Sequence, residues 1–138
     1  KTKSLGEPHN CMVIRTSIIG EEIHKDASLI AWVKSMKGKS VNGFTNHDWN
    51  GVTTKQYAKI CQSIIDEELY TNGLFHLCSG KVNKFELVSY INEKFELNLT
   101  VNPVETENSV DRTMSTETEL GLFLSNKLQS VKEQIFDL

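Results

Sequence analysis

The sequence predicts an α/β fold with parallel strand pairing, on three observations. Two short, β-branched or aromatic apolar runs, "CMVIRTSIIG" (11–20) and "GLFHLCSG" (73–80), are closed by glycine and read as buried strands. Two helical patterns of period 3.6 stand behind capping signatures, Thr53-x-x-Gln56 and Asn83-x-x-Glu86. Strands and helices alternate along the chain, the pattern of sheets whose crossovers are helices.

Taken in order, the first strand follows Pro8 and Asn10. Residues 26–37 then place Leu29, Trp32, Val33 and Met36 at i, i+3, i+4, i+7, with Asp26 as cap and Gly38 beyond the end. The segment "GKSVNGFTNHDWNG" (38–51) reads as a turn-rich loop, yet it carries Phe44 and Trp49, which a mere connector rarely does. Behind Thr53, one helical face collects Tyr57, Ile60, Cys61, Ile64 and Ile65. The 73–80 strand follows, then the helix opened by Asn83 with Leu87, Val88, Ile91 and Phe95 facing inward. "LTVNPV" (99–104) predicts a short strand ended by Pro103. From Glu105 to Glu119 the chain reads as polar and irregular around "VDRTM", and Ser130-x-x-Glu133 predicts a cap for a last helix.

At 138 residues the chain suits one ordinary domain. Hydrophobic residues make up 38%, with two Trp and six Phe, which fits a packed core. The net charge of −3, with both signs interspersed, argues against a nucleic-acid groove. No apolar run approaches the roughly 18 residues of a membrane span, and the N-terminus has no signal-peptide core, so no membrane partner and a cytoplasmic location are expected. Cys11, Cys61 and Cys78 are odd in number, widely spaced and set in apolar runs, and are expected to be buried free thiols.

The generic catalytic constellations are absent. His9, His24, His47 and His76 lack metal-ligand spacing, and no metal is expected; His76 reads as a packed or edge-strand histidine. There is no G-x-S-x-G, C-x-x-C, H-E-x-x-H or P-loop, and no Gly-rich strand-to-helix turn to cradle a pyrophosphate.

Four stretches, in order, resemble one family. They are "KTKSLGE" at the start, "NCMVIRTSIIG", the long run "NGFTNHDWNGVTTKQYAKI" with "GLFHLCSGKVNKFELVSYI", and "VDRTMST". Together they resemble the extended short-chain dehydrogenase/reductases that act on nucleotide-activated sugars, within them the reductases similar to dTDP-4-dehydrorhamnose reductase. In that family a Tyr-x-x-x-Lys motif is commonly followed by a small residue, Leu or Ala, and Gly-Glu. Aligned so, Lys3 is the motif lysine, Lys1 and Thr2 are spacers, and the tyrosine belongs just before Lys1. The likeness spans nearly all of residues 1–118, and the last twenty match poorly apart from a helix.

The resemblance implies the last strands and helices of a Rossmann-type parallel sheet plus a small α/β substrate-binding part. Residues 1–20 and 73–97 would be sheet-associated, and 21–72 with 98–138 mainly substrate-binding, in a single C-terminal portion of a reductase. It implies reduction of a 4-keto-deoxysugar nucleotide with NADP or NAD, most of whose site lies in residues preceding this chain. Taken alone, the chain is expected to be inactive and to expose apolar strand edges that the missing residues would cover. Lys3 would be catalytic and would hold the nicotinamide ribose, its other reading being a solvated lysine. Thr16, Ser17, Ile18 and Ile19 would line the nicotinamide or form an ordinary strand end. Arg15 is expected to pair within the fold. Asn46, His47, Trp49 and Asn50 would belong to the sugar-nucleotide pocket, or Phe44 and Trp49 would simply anchor the loop. Arg112 would grip a diphosphate or stay in solvent. The alternatives to a reductase are an epimerase or dehydratase of the same superfamily, or a non-catalytic sugar-nucleotide-binding domain. The partner expected is a nucleotide-activated deoxysugar, with a homodimer left open.

Overall fold

The computed structural model describes residues 10–20 and 28–138. Fourteen elements are described: β1 Met12–Arg15, β2 Ile18–Ile19, α1 Leu29–Ser35, β3 Ser40–Phe44, β4 His47–Trp49, β5 Val52–Thr53, α2 Thr54–Asp66, β6 Gly73–His76, β7 Val82–Asn83, α3 Lys84–Phe95, β8 Thr100–Val104, β9 Val110–Arg112, α4 Glu119–Asn126 and α5 Val131–Phe136. The fold is α/β, and parallel pairing prevails as expected. Among the described residues the parallel pairs are β1 with β6, β2 with β5, β3 with β8 and β4 with β9, and only β4 with β7 runs antiparallel.

The run 11–20 is not one strand. Met12–Arg15 pairs with Gly73–His76, whereas Ile18–Ile19 pairs with Val52–Thr53, so the chain changes partner at Thr16–Ser17. Periodicity cannot reveal such a break, because both halves are equally apolar. The first helix is also shorter than predicted. It starts at Leu29, where the Ser28 hydroxyl accepts from the Ala31 N–H at 3.3 Å, and the cap expected at Asp26 falls outside the described residues. Its buried face is Ile30 and Val33, with Trp32 left 44% exposed.

The segment taken for a loop holds two strands, β3 and β4. Each is stabilised by partners far along the chain, β8 for β3 and β7 with β9 for β4. Gly43 lets β3 approach α3, since a Cβ there would stand 2.7 Å from Phe85 Cα. β8 runs through Pro103 to Val104, which its two-stranded sheet tolerates because proline's missing N–H matters least on an edge. The polar stretch 105–119 contains β9, and α4 begins right after it, capped by Thr118.

Both capping signatures place their helices correctly. Asn83 and Glu86 cap each other reciprocally at the start of α3, and Thr53 accepts from the Gln56 N–H at 3.3 Å. Ser130 and Glu133 form a further reciprocal box that opens α5. On α2 the buried stripe is narrower than expected: Gln56, Ile60 and Ile64 are buried, whereas Ile65 is 70% exposed. The three cysteines are free, and half-buried rather than buried.

Two hydrophobic clusters result. The larger joins α1, β3, α3 and α5 through Ile30, Val33, Val41, Leu87, Val88, Ile91, Val131 and Ile135. The smaller gathers Val52, Ile60, Ile64, Leu77 and Leu124. Between them lies the fully buried Gln134 of α5. Its Oε1 accepts from the buried Thr53 N–H at 3.0 Å, while its Nε2 donates to Ser79 Oγ and to the Gln129 carbonyl, both at 2.8 Å. Gln134→Leu is expected to cost about 1–3 kcal/mol, because the Thr53 N–H stays buried and loses its acceptor. Urea unfolding measures this, and a loss below about 0.5 kcal/mol would deny Gln134 its linking role.

Candidate functional site

The three-stranded sheet β7–β4–β9 sets the site. Parallel register places Trp49 beside Arg112 and His47 beside Val110. Side chains alternate along strands, so these four share one face, and Asp48 and Asp111, also register partners, belong to the other. The Trp49 indole Nε1 donates to Ser17 Oγ at 2.7 Å, which fastens this face to the β1–β2 junction. The same junction is held by the Val52 N–H, which donates to the Ser17 carbonyl at 2.8 Å. Gly51 is obligatory for space: a Cβ there would stand 2.1 Å from the Ser17 carbonyl oxygen and 2.3 Å from Trp49 Cζ2.

A cleft of about 370 Å³ opens between these elements, walled by Ser17, Ile19, Leu29, Trp49, Lys84 and Arg112, with His47, Asp48 and Val110 alongside. Expected cofactor-side residues (Ser17, Ile19) and expected substrate-side residues (His47, Trp49, Arg112) thus meet around one space. Trp49 both anchors and lines, so the two readings of it are not exclusive.

The remaining expected residues are placed otherwise. Lys3 lies outside the described residues. The Thr16 hydroxyl is buried and has no hydrogen-bond partner among the described residues, and Thr16 does not wall the cleft. Ile18 is 46% exposed and does not wall the cleft. Asn46 is engaged with Thr106: its Nδ2 donates to the Thr106 carbonyl at 2.8 Å, and its Oδ1 accepts the Thr106 N–H at 3.1 Å. Asn50, buried, makes the equivalent two-point pair with the carbonyl and N–H of Met114, at 2.7 and 2.8 Å. Both amides tie the 105–116 segment to β4, leaving little capacity for a ligand. His47 Nε2 lies 3.0 Å from Thr106 Oγ1, and its ring sits 4.7 Å from that of Phe44. His76, in β6 as expected, has Nδ1 3.1 Å from the Ser115 carbonyl.

Lys84 is the residue that sequence reading missed. It is the first residue of α3, directly after the Asn83 cap. A signal was present: a cation in the first turn opposes the helix dipole, and a broken local rule often marks function. Burial pulls the Lys84 ammonium's pKa down, and the Arg112 charge adds to the effect. Tyr90 and Lys94 also have Tyr-x-x-x-Lys spacing, but they serve packing. Tyr90 donates to Glu86 at 3.4 Å, Lys94 donates to the Phe136 carbonyl at 2.8 Å, and neither walls the cleft.

No protein-family profile matches the sequence, and no curated protein matches it. Solved structures do match. The dTDP-4-dehydrorhamnose reductase of Clostridium acetobutylicum superposes with a TM-score of 0.66 at 15% identity, over 91% of this chain and 46% of that one. The dTDP-4-dehydrorhamnose reductase of Bacillus anthracis, solved in complex with NADP, gives 0.65 at 17% identity over the same shares. UDP-N-acetylglucosamine 4-epimerase from Bacillus cereus gives 0.63 at 16% identity, again covering 91% and 46%. At these identities the likeness is one of fold, and the chain spans a little under half the length of these proteins. Among the described residues no helix is long and apolar enough to cross a membrane.

Gly51→Ala tests the construction of the cleft. The added methyl must displace either the Ser17 carbonyl or the Trp49 ring, at an expected cost of about 1–3 kcal/mol. In a Trp32→Phe background, which leaves Trp49 as the sole indole, its emission should shift to the red as the Ser17 bond breaks. Unchanged emission and melting temperature would contradict the tight packing described.

Proposed function

We propose that this chain is the substrate-side portion of an NAD(P)-dependent sugar-nucleotide reductase of the extended short-chain dehydrogenase/reductase type, acting on a 4-keto-deoxysugar nucleotide. The observation that carries the reading is the cleft itself. It joins the strand end expected at the nicotinamide to an aromatic and cationic wall suited to a sugar and its diphosphate. The fold shared with reductases of dTDP-4-dehydrorhamnose supports the same reading.

The residues present fit a dinucleotide at this edge. Ser17 and Ile19 wall the cleft at this edge, where Ile19 offers an aliphatic surface to a ring. When bound, a reduced nicotinamide supplies hydride to the sugar ketone. The chain's own contribution is binding and orientation. Trp49, held by Ser17, presents a fixed aromatic face, and the Arg112 guanidinium supplies charge-assisted hydrogen bonds to phosphate oxygens. Lys3 takes the role of the motif lysine, lowering the pKa of a tyrosine by its charge and bonding the nicotinamide ribose. That tyrosine, expected before Lys1, and a Gly-rich dinucleotide turn are not among these 138 residues.

Epimerases of the same superfamily share the fold, so a sugar-nucleotide epimerase is the second reading. The two separate by product: a reductase consumes one equivalent of reduced cofactor per sugar, whereas an epimerase consumes none.

Calorimetric titration of the chain with dTDP- and UDP-sugars is expected to show binding, and Arg112→Ala to weaken it roughly ten- to a hundredfold. The 138-residue chain alone is expected to give no NADPH oxidation with a 4-keto sugar nucleotide. Turnover by this chain, or sugar-nucleotide affinity indifferent to Arg112→Ala, would overturn the assignment.

A further inference from the structure

We propose that Lys84 is the specificity-determining cation of the cleft: beside Arg112, its ammonium engages the second phosphate of a nucleoside diphosphate, so that the site distinguishes diphosphate from monophosphate ligands. The proposal rests on the sugar-nucleotide reading and names a residue that reading does not require.

Position comes first. Lys84 walls the 370 Å³ cleft and also a neighbouring cavity of about 500 Å³ bounded by Trp32, Asn42 and Phe44. Leu29 is the other wall common to both, so Lys84 stands between two adjacent cavities.

Charge comes second. Lys84 and Arg112 are the two lysine or arginine side chains walling the cleft, and neither makes a hydrogen bond or ion pair with another described residue. The nearby carboxylates are directed elsewhere. Asp48 lies 3.6 Å from Lys81 Nζ, and Asp111 Oδ1 accepts the Thr113 N–H at 2.9 Å. Asp48 also lines the cleft, but its ion pair is with Lys81, so the two like charges share this space with no ion pair to either carboxylate.

Cost comes third. Lys84 is half-buried, sits against the positive end of a twelve-residue helix, and is repelled by Arg112. All three effects disfavour a cation there in the free protein. All three reverse sign for an anion placed between the two side chains, because helix end, ammonium and guanidinium then attract together. With one phosphate held by Arg112, a diphosphate presents a second anionic group to Lys84, which a monophosphate lacks.

Titration calorimetry of the chain with UDP and UMP, dTDP and dTMP, and inorganic pyrophosphate tests this. The wild-type chain is expected to favour each diphosphate over its monophosphate by about tenfold. Lys84→Met should remove most of that preference while leaving monophosphate affinity within about twofold, and Lys84→Arg should retain it. Far-ultraviolet circular dichroism and urea midpoints verify that both variants fold. A preference for diphosphate that survives Lys84→Met overturns the inference and leaves the sugar-nucleotide reading standing. Lys84-dependent binding of pyrophosphate with no binding of any nucleotide supports the cation pair and overturns the nucleotide reading. Binding of none of these probes overturns both.

Discussion

The amide of Gln134 is the bond on which the arrangement turns. It belongs by position to the larger cluster, through its neighbours Val131 and Ile135, yet its oxygen holds the Thr53 N–H beside the smaller one. Both of its amide hydrogens are also satisfied, by Ser79 and Gln129. A buried amide so fully paired costs little, whereas each partner left alone would pay a full desolvation penalty. Fixing Thr53 fixes the start of α2 and β5, and β5 in turn receives β2 in parallel. The Ser17 hydroxyl that accepts the Trp49 indole hangs from that pairing. The cleft is thus the last link of a chain of constraints that begins at the C-terminal helix.

The site carries its cost in electrostatics more than in backbone strain. Two amides, Asn46 and Asn50, are consumed in holding the 105–116 segment against β4, and this brings β9 into register with Trp49 and Arg112. What then lines the open space is an aromatic ring, aliphatic groups, two cations and Asp48, which pairs with Lys81. Such a surface suits a ligand that is apolar or planar at one part and anionic at another, the character of the ligand proposed above.

Local signals were legible wherever a few neighbouring residues decide the outcome. The caps at Thr53, Asn83 and Ser130 each satisfy their own helix's first N–H groups, and each helix starts where its cap stands. Strand pairing was less legible, because its partners lie far away in sequence. β3 and β4 looked like loop since their stabilising contacts come from β8, β7 and β9. α4 was overlooked because Gly121 interrupts its pattern, although that glycine is required: a Cβ there would stand 2.1 Å from Thr116 Oγ1. For the site, His47, Trp49 and Arg112 were expected from residue type and resemblance, and they do share a wall. Asn46 and Asn50 have the same chemistry on paper, but tertiary contacts commit them to backbone.

By itself, then, the amino-acid sequence determined the α/β class, the starts of three helices and the segments that bear aromatic and cationic side chains. Periodicity and capping act over one or two helical turns, and they need no knowledge of distant chain. The tertiary structure alone decided where the 11–20 run changes partner, that "VDRTM" becomes a strand beside Trp49, and that Lys84 meets Arg112. Those outcomes depend on hydrogen bonds and charges between residues 28 to 63 positions apart, and no local pattern encodes such distances.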